Sequence, residues 1–383
     1  MSITGIICEY NPLHMGHKKQ LDIIRADDPT GGIVCLMSGN FVQRGAPAVF
    51  DKMVRAKTAV LSGADLVLEL PVTVVLRSAE GFADGGVNIL SRFCDRICFG
   101  AENADEALIM GLANALLSED FSNLLKSELD KGLSFPVARQ AALECMGIDA
   151  SALALPNNIL AVEYCKAILS RGSGLKPHVI PRQGGYHDQL PDPVNPSATA
   201  LRRLIKAGTQ WQQYVPNAEC YEGATVHSLQ YGERAILARL RTMTDEEFEA
   251  LPYGSEGLWR KLMHASRREN SLEAILCSVK SKRYTRTRLD RMVMCAFLGI
   301  TEAMLSSPAP YVRILAFNDR GRQILNQAKH TGTFVNIGQR IDDSYQALED
   351  RCGALYGLFA QDIPEPADAE GHRRVQYIAN SAL

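Results

Sequence analysis

The sequence predicts a doubly wound α/β fold with a parallel sheet, followed by a mainly helical C-terminal region. Three observations carry this. Short apolar runs alternate with segments of helical spacing from Ile3 to Ile180. The run at 33–38 (IVCLMS) is continuously apolar, as a strand covered on both faces requires. Beyond residue 228 or so, helical spacing dominates.

The elements follow in order. Residues 3–8 read as a strand that breaks at Asn11-Pro12, and a helix-like segment follows at 18–25. Residues 33–38 form the second strand. The segment 51–62 places Met53, Val54, Ala56, Ala59 and Val60 on one apolar stripe of a helix. Residues 64–70 form a third strand, ended by Pro71, and 83–93 are helical. A fourth strand, 96–99, ends at Gly100. Helices fill 106–170, interrupted by Pro136 and Pro156, and 178–180 is short and β-like. Periodicity weakens at 206–225, which sets the expected domains at 1–210 and 211–383. Helices run on to about 301, with YVRILAF at 311–317 and further helix near 342–358. The last twenty residues are polar and are expected to be loosely ordered.

Composition narrows the function classes. The chain has 383 residues, 46% hydrophobic and 22% charged, as in a globular protein of two or three domains. Net charge is −2, so any nucleic-acid face must be local. Ten cysteines are scattered with no C-x-x-C pair, and Cys94 and Cys98 have no second pair nearby to complete a zinc site. No signal-peptide pattern and no apolar run of membrane-spanning length occurs. The expectation is a cytoplasmic protein with no membrane contact.

The most informative motif is His14-Met-Gly-His17, at the junction of the first strand and the first helix. Backbone N–H groups at a helix N-terminus attract phosphate. Two imidazoles beside them can bond phosphate oxygens and stabilise charge building on phosphorus. Gly16 allows close approach of a nucleotide. The plainer alternative is a pair of ordinary turn histidines. A second motif, Ser197-Ala-Thr199-Ala-Leu-Arg202, follows a proline and reads as a capped helix start. Arg202 lies one turn below Thr199 and can reach the same anion. Read alone, it is a cap with a surface arginine. A third stretch begins at Ser38-Gly-Asn. In it Phe41, Gln43 and Arg44 are candidates to hold a small carboxylate, with Phe41 closing on its methyl group. Lys52, Arg55 and Lys57 read first as a solvated helix face.

From Arg260 to Arg291 there are ten Lys/Arg against three Asp/Glu, a local charge of +7 that leaves the rest of the chain at −9. Such asymmetry is the footprint of a phosphate-binding face. The candidates are Arg260, Lys261, Arg267, Arg268, Lys280, Lys282, Arg283, Arg286 and Arg288, with Trp259 and Tyr284 available to stack on a base.

His14-x-Gly-His17 and Ser197-x-Thr-x-x-Arg202 resemble, in the same order, the HxGH and S-x-T-x-x-R elements of the nucleotidylyltransferase superfamily. The whole chain resembles the bacterial tRNA(Met) cytidine acetate ligases. The matching stretches are GIICEYNPLHMGH, MSGNFVQRGAPAVFDKMVRAKTAVLSGADLVLELP, FGAE, PNNILAVEY, PRQGGYHD, SATALR and VKSKRYTRTRLDR. The resemblance implies the superfamily's Rossmann-like fold and activation of acetate by ATP as acetyl-adenylate. It implies transfer of the acetyl group to N4 of the wobble cytidine of elongator tRNA(Met), giving N4-acetylcytidine without acetyl-CoA. It maps the nucleotide site onto Ile7, Cys8, Glu9, Tyr10, Asn11, Pro12, Gly16, Gln20, Gly100, Asn157 or Asn158, and Arg182, beside Ser197, Thr199 and Arg202.

Such chemistry needs positioning and charge stabilisation more than acid–base help, since acetate is ionised at neutral pH. Mg²⁺ bridging the phosphates is expected, although no carboxylate cluster announces a protein-held metal and Asp192 reads as a turn former. Two rivals stay open. One is a relative that charges a carrier thiol or a small molecule. The other is a non-catalytic RNA-binding protein that kept the fold.

Overall fold

The computed structural model describes residues 1–182, 196–341, 343–365 and 370–379. Eight strands make one sheet: β1 (Ile3–Cys8), β2 (Gly32–Ser38), β3 (Leu66–Leu70), β4 (Arg96–Ala101), β5 (Lys176–Pro181), β6 (Val312–Phe317), β7 (Phe334–Asn336) and β8 (Gln376–Tyr377). The order is β8-β6-β3-β2-β1-β4-β5, with β7 also pairing β6. β1 lies parallel to β2, with Ile3 opposite Gly32, and to β4, with Thr4 opposite Arg96. All seven residues of β2 are buried, which is why that stretch carries no polar alternation.

The sheet is not wholly parallel. β6 runs antiparallel to β3, pairing Leu66 with Phe317. It arrives from a distant part of the chain, so its direction was not visible in the local pattern. The tail therefore supplies β6, β7 and β8 to the sheet begun by residues 3–8, and the expected division near 210 is crossed by the sheet itself.

Helices cover both faces. They include α1 (Met15–Asp27), α2 (Lys52–Leu61), α3 (Ala79–Leu90), α4 (Pro156–Ser170) and α5 (Ala198–Lys206). The Asp51 carboxylate caps α2 by accepting the Met53 N–H at 2.7 Å. Pro136 and Pro156 start helices rather than breaking one, since the first turn needs no N–H there. Beyond 228 the chain is mainly helical: α6 (Leu229–Thr242), α7 (Leu258–Ser266), α8 (Leu272–Val279), α9 (Arg286–Leu298) and α10 (Ser344–Tyr356). These pack a core of their own around Phe248, Ile275, Met292 and Phe297. Among the described residues, no helix is long and apolar enough to cross a membrane.

Two polar expectations are corrected. Lys52 and Arg55 are buried, not a solvated face, while Lys57 is exposed. Lys52 Nζ bonds Glu69 at 2.8 Å and Glu370 at 2.7 Å. Arg55 donates to the carbonyls of Phe50, Glu9, Ser38 and Gly39. The tail from 370 to 379 is not loose. Glu370 is 2% exposed and also binds Arg313 at 2.7 Å, and Arg373 makes two bonds to Asp51 at 2.7 and 2.8 Å. Burial alone would raise the Glu370 carboxyl, but Lys52, Arg373 and Arg313 hold it below its usual range. A polar tail reads as solvated until its charges find buried partners.

Candidate active site

A cavity of about 650 Å³ opens at the carboxyl ends of β1, β4 and β5. Strand order reverses between β1 and β4, and ligands of such sheets lie at that crevice. His14 caps α1 and His17 sits in its first turn. The rings stack, with centroids 3.7 Å apart. The His14 backbone N–H donates to His17 Nδ1 at 3.3 Å. Among the described residues, both ring nitrogens of His14 lack a partner although the residue is 3% exposed. Burial, then Arg182 and Arg202, push the His14 imidazole down to about 3. Burial, then His14 and Arg182, hold His17 well below the usual histidine range. Both rings are thus neutral donors near pH 7, and Arg182 and Arg202 are the cations that act on them.

Those arginines come from distant elements. Arg182 follows β5 and donates to Asn157 Oδ1 at 2.9 Å. Arg202, on α5, bonds the Asn11 carbonyl at 2.9 Å and Thr199 Oγ1 at 3.1 Å. Ser197 caps α5 by accepting the Ala200 N–H at 3.2 Å. Around them, Ile7, Cys8, Glu9, Tyr10, Asn11, Gly16, Gln20, Gly100, Ser197 and Thr199 all line the cavity. At Gly16, an added Cβ would stand 3.1 Å from the His14 ring. Asp192 lies outside the described residues.

Several sequence-based candidates fall elsewhere. Pro12 is not in the cavity wall. Of the asparagine pair, Asn157 lines the cavity, while Asn158 is 1% exposed and accepts the Asn103 N–H at 3.1 Å. Neighbours on a helix point about 100° apart, and here it is the Asn157 side chain that meets the cavity. Phe41 is not a lid. It is buried in the helical core with its ring edge-on to Tyr356 and Phe359. Gln43 and Arg44 do line the cavity. The Gln43 N–H already holds a carboxylate, that of Glu9, at 2.7 Å. Burial raises the Glu9 carboxyl above its usual value.

Sequence reading missed Glu102, which accepts the N–H groups of Asn157 and Asn158 at 3.3 and 2.9 Å and orients the start of α4. The carboxylate two residues after Gly100 was the available signal. It also missed Lys19, Lys206, Ser228, Thr287 and Arg291 in the wall.

The basic block is less free than its composition suggests. Arg267 pairs with Asp245, Arg283 with Glu256, and Arg286 with both Glu273 and Asp290. Arg288 bonds the Tyr253 carbonyl, and Lys280 the Ser281 carbonyl. Arg260 lies over Trp259, 4.8 Å from the ring centre. Tyr284 cannot stack on a base, because it is 5% exposed with its hydroxyl on Glu256. Lys261, Arg268 and Lys282 are exposed, and no side-chain partner is seen for them among the described residues.

Comparison with known proteins places this geometry. The family model of the HIGH nucleotidyl transferases matches residues 1–368. A tRNA(Met) cytidine acetate ligase of Clostridium novyi is 38% identical over 392 residues, spanning 96% of this chain and 98% of that protein. The ligase of the same name from Clostridium acetobutylicum is 34% identical, spanning 91% and 92%. The chain belongs to the tRNA(Met) cytidine acetate ligase family. Two crystal structures are similar along the whole length. Apo Thermotoga maritima TmcAL superposes with a TM-score of 0.90 at 28% identity, covering 99% of this chain and 100% of that one. The same protein bound to alpha-thio ATP gives 0.87 at 27% identity, with the same coverage. In this member of the ligase family, the two histidines, two arginines and two helix N-termini meet in a single cavity although the chain brings them from positions 14 to 202.

Proposed function

We propose that this protein uses ATP to activate acetate and transfers the acetyl group to N4 of the wobble cytidine of elongator tRNA(Met). An acetate oxygen attacks the α-phosphorus, and the bond to the β-phosphate breaks, releasing pyrophosphate. The cytidine amine then attacks the acetyl carbonyl, loses a proton, and AMP leaves. Kinship to ligases of that name along nearly the whole chain supports the substrate. The convergence of His14, His17, Arg182 and Arg202 on one cavity is the observation that carries the chemistry.

Each residue has a physical task. Neutral His14 and His17 offer hydrogen bonds to phosphate oxygens without adding charge. Arg182 and Arg202 supply the charge that developing oxyanions need. Asn157, held by Glu102 through its side-chain amide at 2.6 Å, aims Arg182. The N-termini of α1 and α5 add oriented N–H groups.

Mg²⁺ enters this reading only on the triphosphate. Among the described residues, Glu9 is the single carboxylate lining the cavity, and no group of three metal-ligating side chains occurs. These residues do not fit a resident metal site.

The test is nucleoside mass spectrometry of tRNA incubated with the protein and ATP, with either labelled acetate or labelled acetyl-CoA. Label in N4-acetylcytidine from acetate, and only with ATP, is expected. Transfer from acetyl-CoA without ATP overturns the reading.

A further inference from the structure

One part of the cavity wall comes from the helical region and belongs to none of the nucleotide features. Ser228 and Leu229 begin α6, and Thr287 and Arg291 lie one turn apart on α9. Arg291 is 7% exposed. Its guanidinium lies over the Tyr253 ring, 5.0 Å from the centre, and among the described residues its Nε has no hydrogen-bond partner. Tyr253 is fixed in turn, its hydroxyl donating to the Leu76 carbonyl at 2.6 Å. The helix also seats tightly on the loop that carries Gln43 and Arg44. A Cβ added at Gly45 would come within 2.5 Å of the Arg291 backbone nitrogen. A buried guanidinium with an idle donor is costly unless a ligand uses it. Arg55 and Arg313, buried elsewhere, bond carbonyls or carboxylates of the chain, and of the arginines with a buried, unpartnered Nε (Arg139, Arg291 and Arg373 among the described residues) it is Arg291 that lines the cavity.

We propose that Arg291, helped by Thr287, receives the acceptor cytosine by donating to its O2 and N3. This rests on the function proposed above. The base must turn its N4 amine to the acetyl group. What remains of its pairing edge is O2 and N3, both acceptors, which match an arginine with N–H groups to give. Uracil would present an N–H at position 3 to the same donors. The seat therefore selects the pyrimidine that bears the reactive amine. Enzymes acting on a base read the extruded base in this way. Depth separates a base from the RNA backbone: Arg291 is buried in the cavity wall, whereas Lys261, Arg268 and Lys282 are exposed.

The experiment is a four-way comparison of single-turnover acetyl transfer. Wild type and Arg291→Gln are each given tRNA(Met) with cytidine or 3-deazacytidine at the acceptor position. The analogue keeps the amine and O2 but lacks the N3 acceptor. Arg291→Gln is expected to slow transfer to cytidine roughly 10–100-fold. The analogue is expected to slow wild type, and to add little further loss in the variant, because both remove one contact. Penalties that multiply overturn the proposal. So does a raised acetate KM for Arg291→Gln in tRNA-free ATP–pyrophosphate exchange, which would make Arg291 an acetate ligand. If the glutamine variant does not fold, Arg291→Lys is read in the same four-way scheme. Wild type that transfers no acetyl from acetate to the cytidine tRNA shows instead that the function itself was misread, and the base seat falls with it.

Discussion

The backbone N–H of His14 donates to Nδ1 of His17, and this one bond sets the tautomer of the second ring. Nδ1 accepts, so the proton of neutral His17 sits on Nε2, leaving that nitrogen as the donor for a phosphate oxygen. His17→Ala removes one preorganised donor, at a cost of about 2–4 kcal/mol in the transition state. Acetate-dependent ATP–pyrophosphate exchange should drop accordingly in a folded variant. Exchange within a few-fold of wild type would rule out a part for His17 in adenylation.

Stability should fall on mild acidification. The His14 pKa is about 3 in the folded protein, against about 6.5 in an unfolded chain. Between these values the unfolded state binds a proton that the folded state refuses. Stability from this group is complete above pH 6.5 and is lost as pH falls toward 3, by up to about 1.4 kcal/mol per pH unit. His14→Gln removes that loss, so urea midpoints followed from pH 7 to 4 should fall less steeply than in wild type. Parallel curves would contradict the burial of a neutral imidazole.

Lys52 neutralises Glu69 and Glu370, the latter 318 positions away, at 2.8 and 2.7 Å. Lys52→Met strands the buried Glu69 carboxylate, leaves Glu370 to Arg313 and Arg373, and should cost about 3–5 kcal/mol. Limited proteolysis should then cut first near residue 370, where the tail loses one of its anchors. A change in urea stability below about 1 kcal/mol would restore the solvated-face reading.

Lys261, Arg268 and Lys282 are the cations of the basic block best placed to meet RNA phosphates. Reversing all three to Glu should weaken tRNA binding and lower the slope of log affinity against log salt by about 1 per lost contact. Reversing Arg267 or Arg286, each already paired with an acid, should matter less. An unchanged slope in the triple variant would show the block to be an ordinary charged surface.

Asn157→Ala should raise the KM for ATP in the exchange reaction, since it frees Arg182. Asn158→Ala should instead lower thermal stability, since it empties a buried position and frees the Asn103 N–H that Asn158 holds. The reverse pattern would reassign the pair.

Sequence by itself determined what depends on neighbours in the chain. The buried strand 33–38, the strand–turn–helix around His14 and His17, and the Ser197 cap were all legible, because residue period, turn chemistry and capping are local. The resemblance of the two phosphate motifs, in order, to those of the nucleotidylyltransferases implied a shared nucleotide site. Only the tertiary structure decided which way a given side chain faces and what meets it there. Phe41 went to an aromatic core and Tyr284 to Glu256. Asn157 turned to the cavity and Asn158 away from it, and the Glu9 carboxylate took the N–H of Gln43, a candidate to hold a small carboxylate. Lys52 became an interior cation because Glu370 arrives from the far end of the chain. Burial and charge pairing are properties of contacts across that distance, and a local pattern carries no record of them.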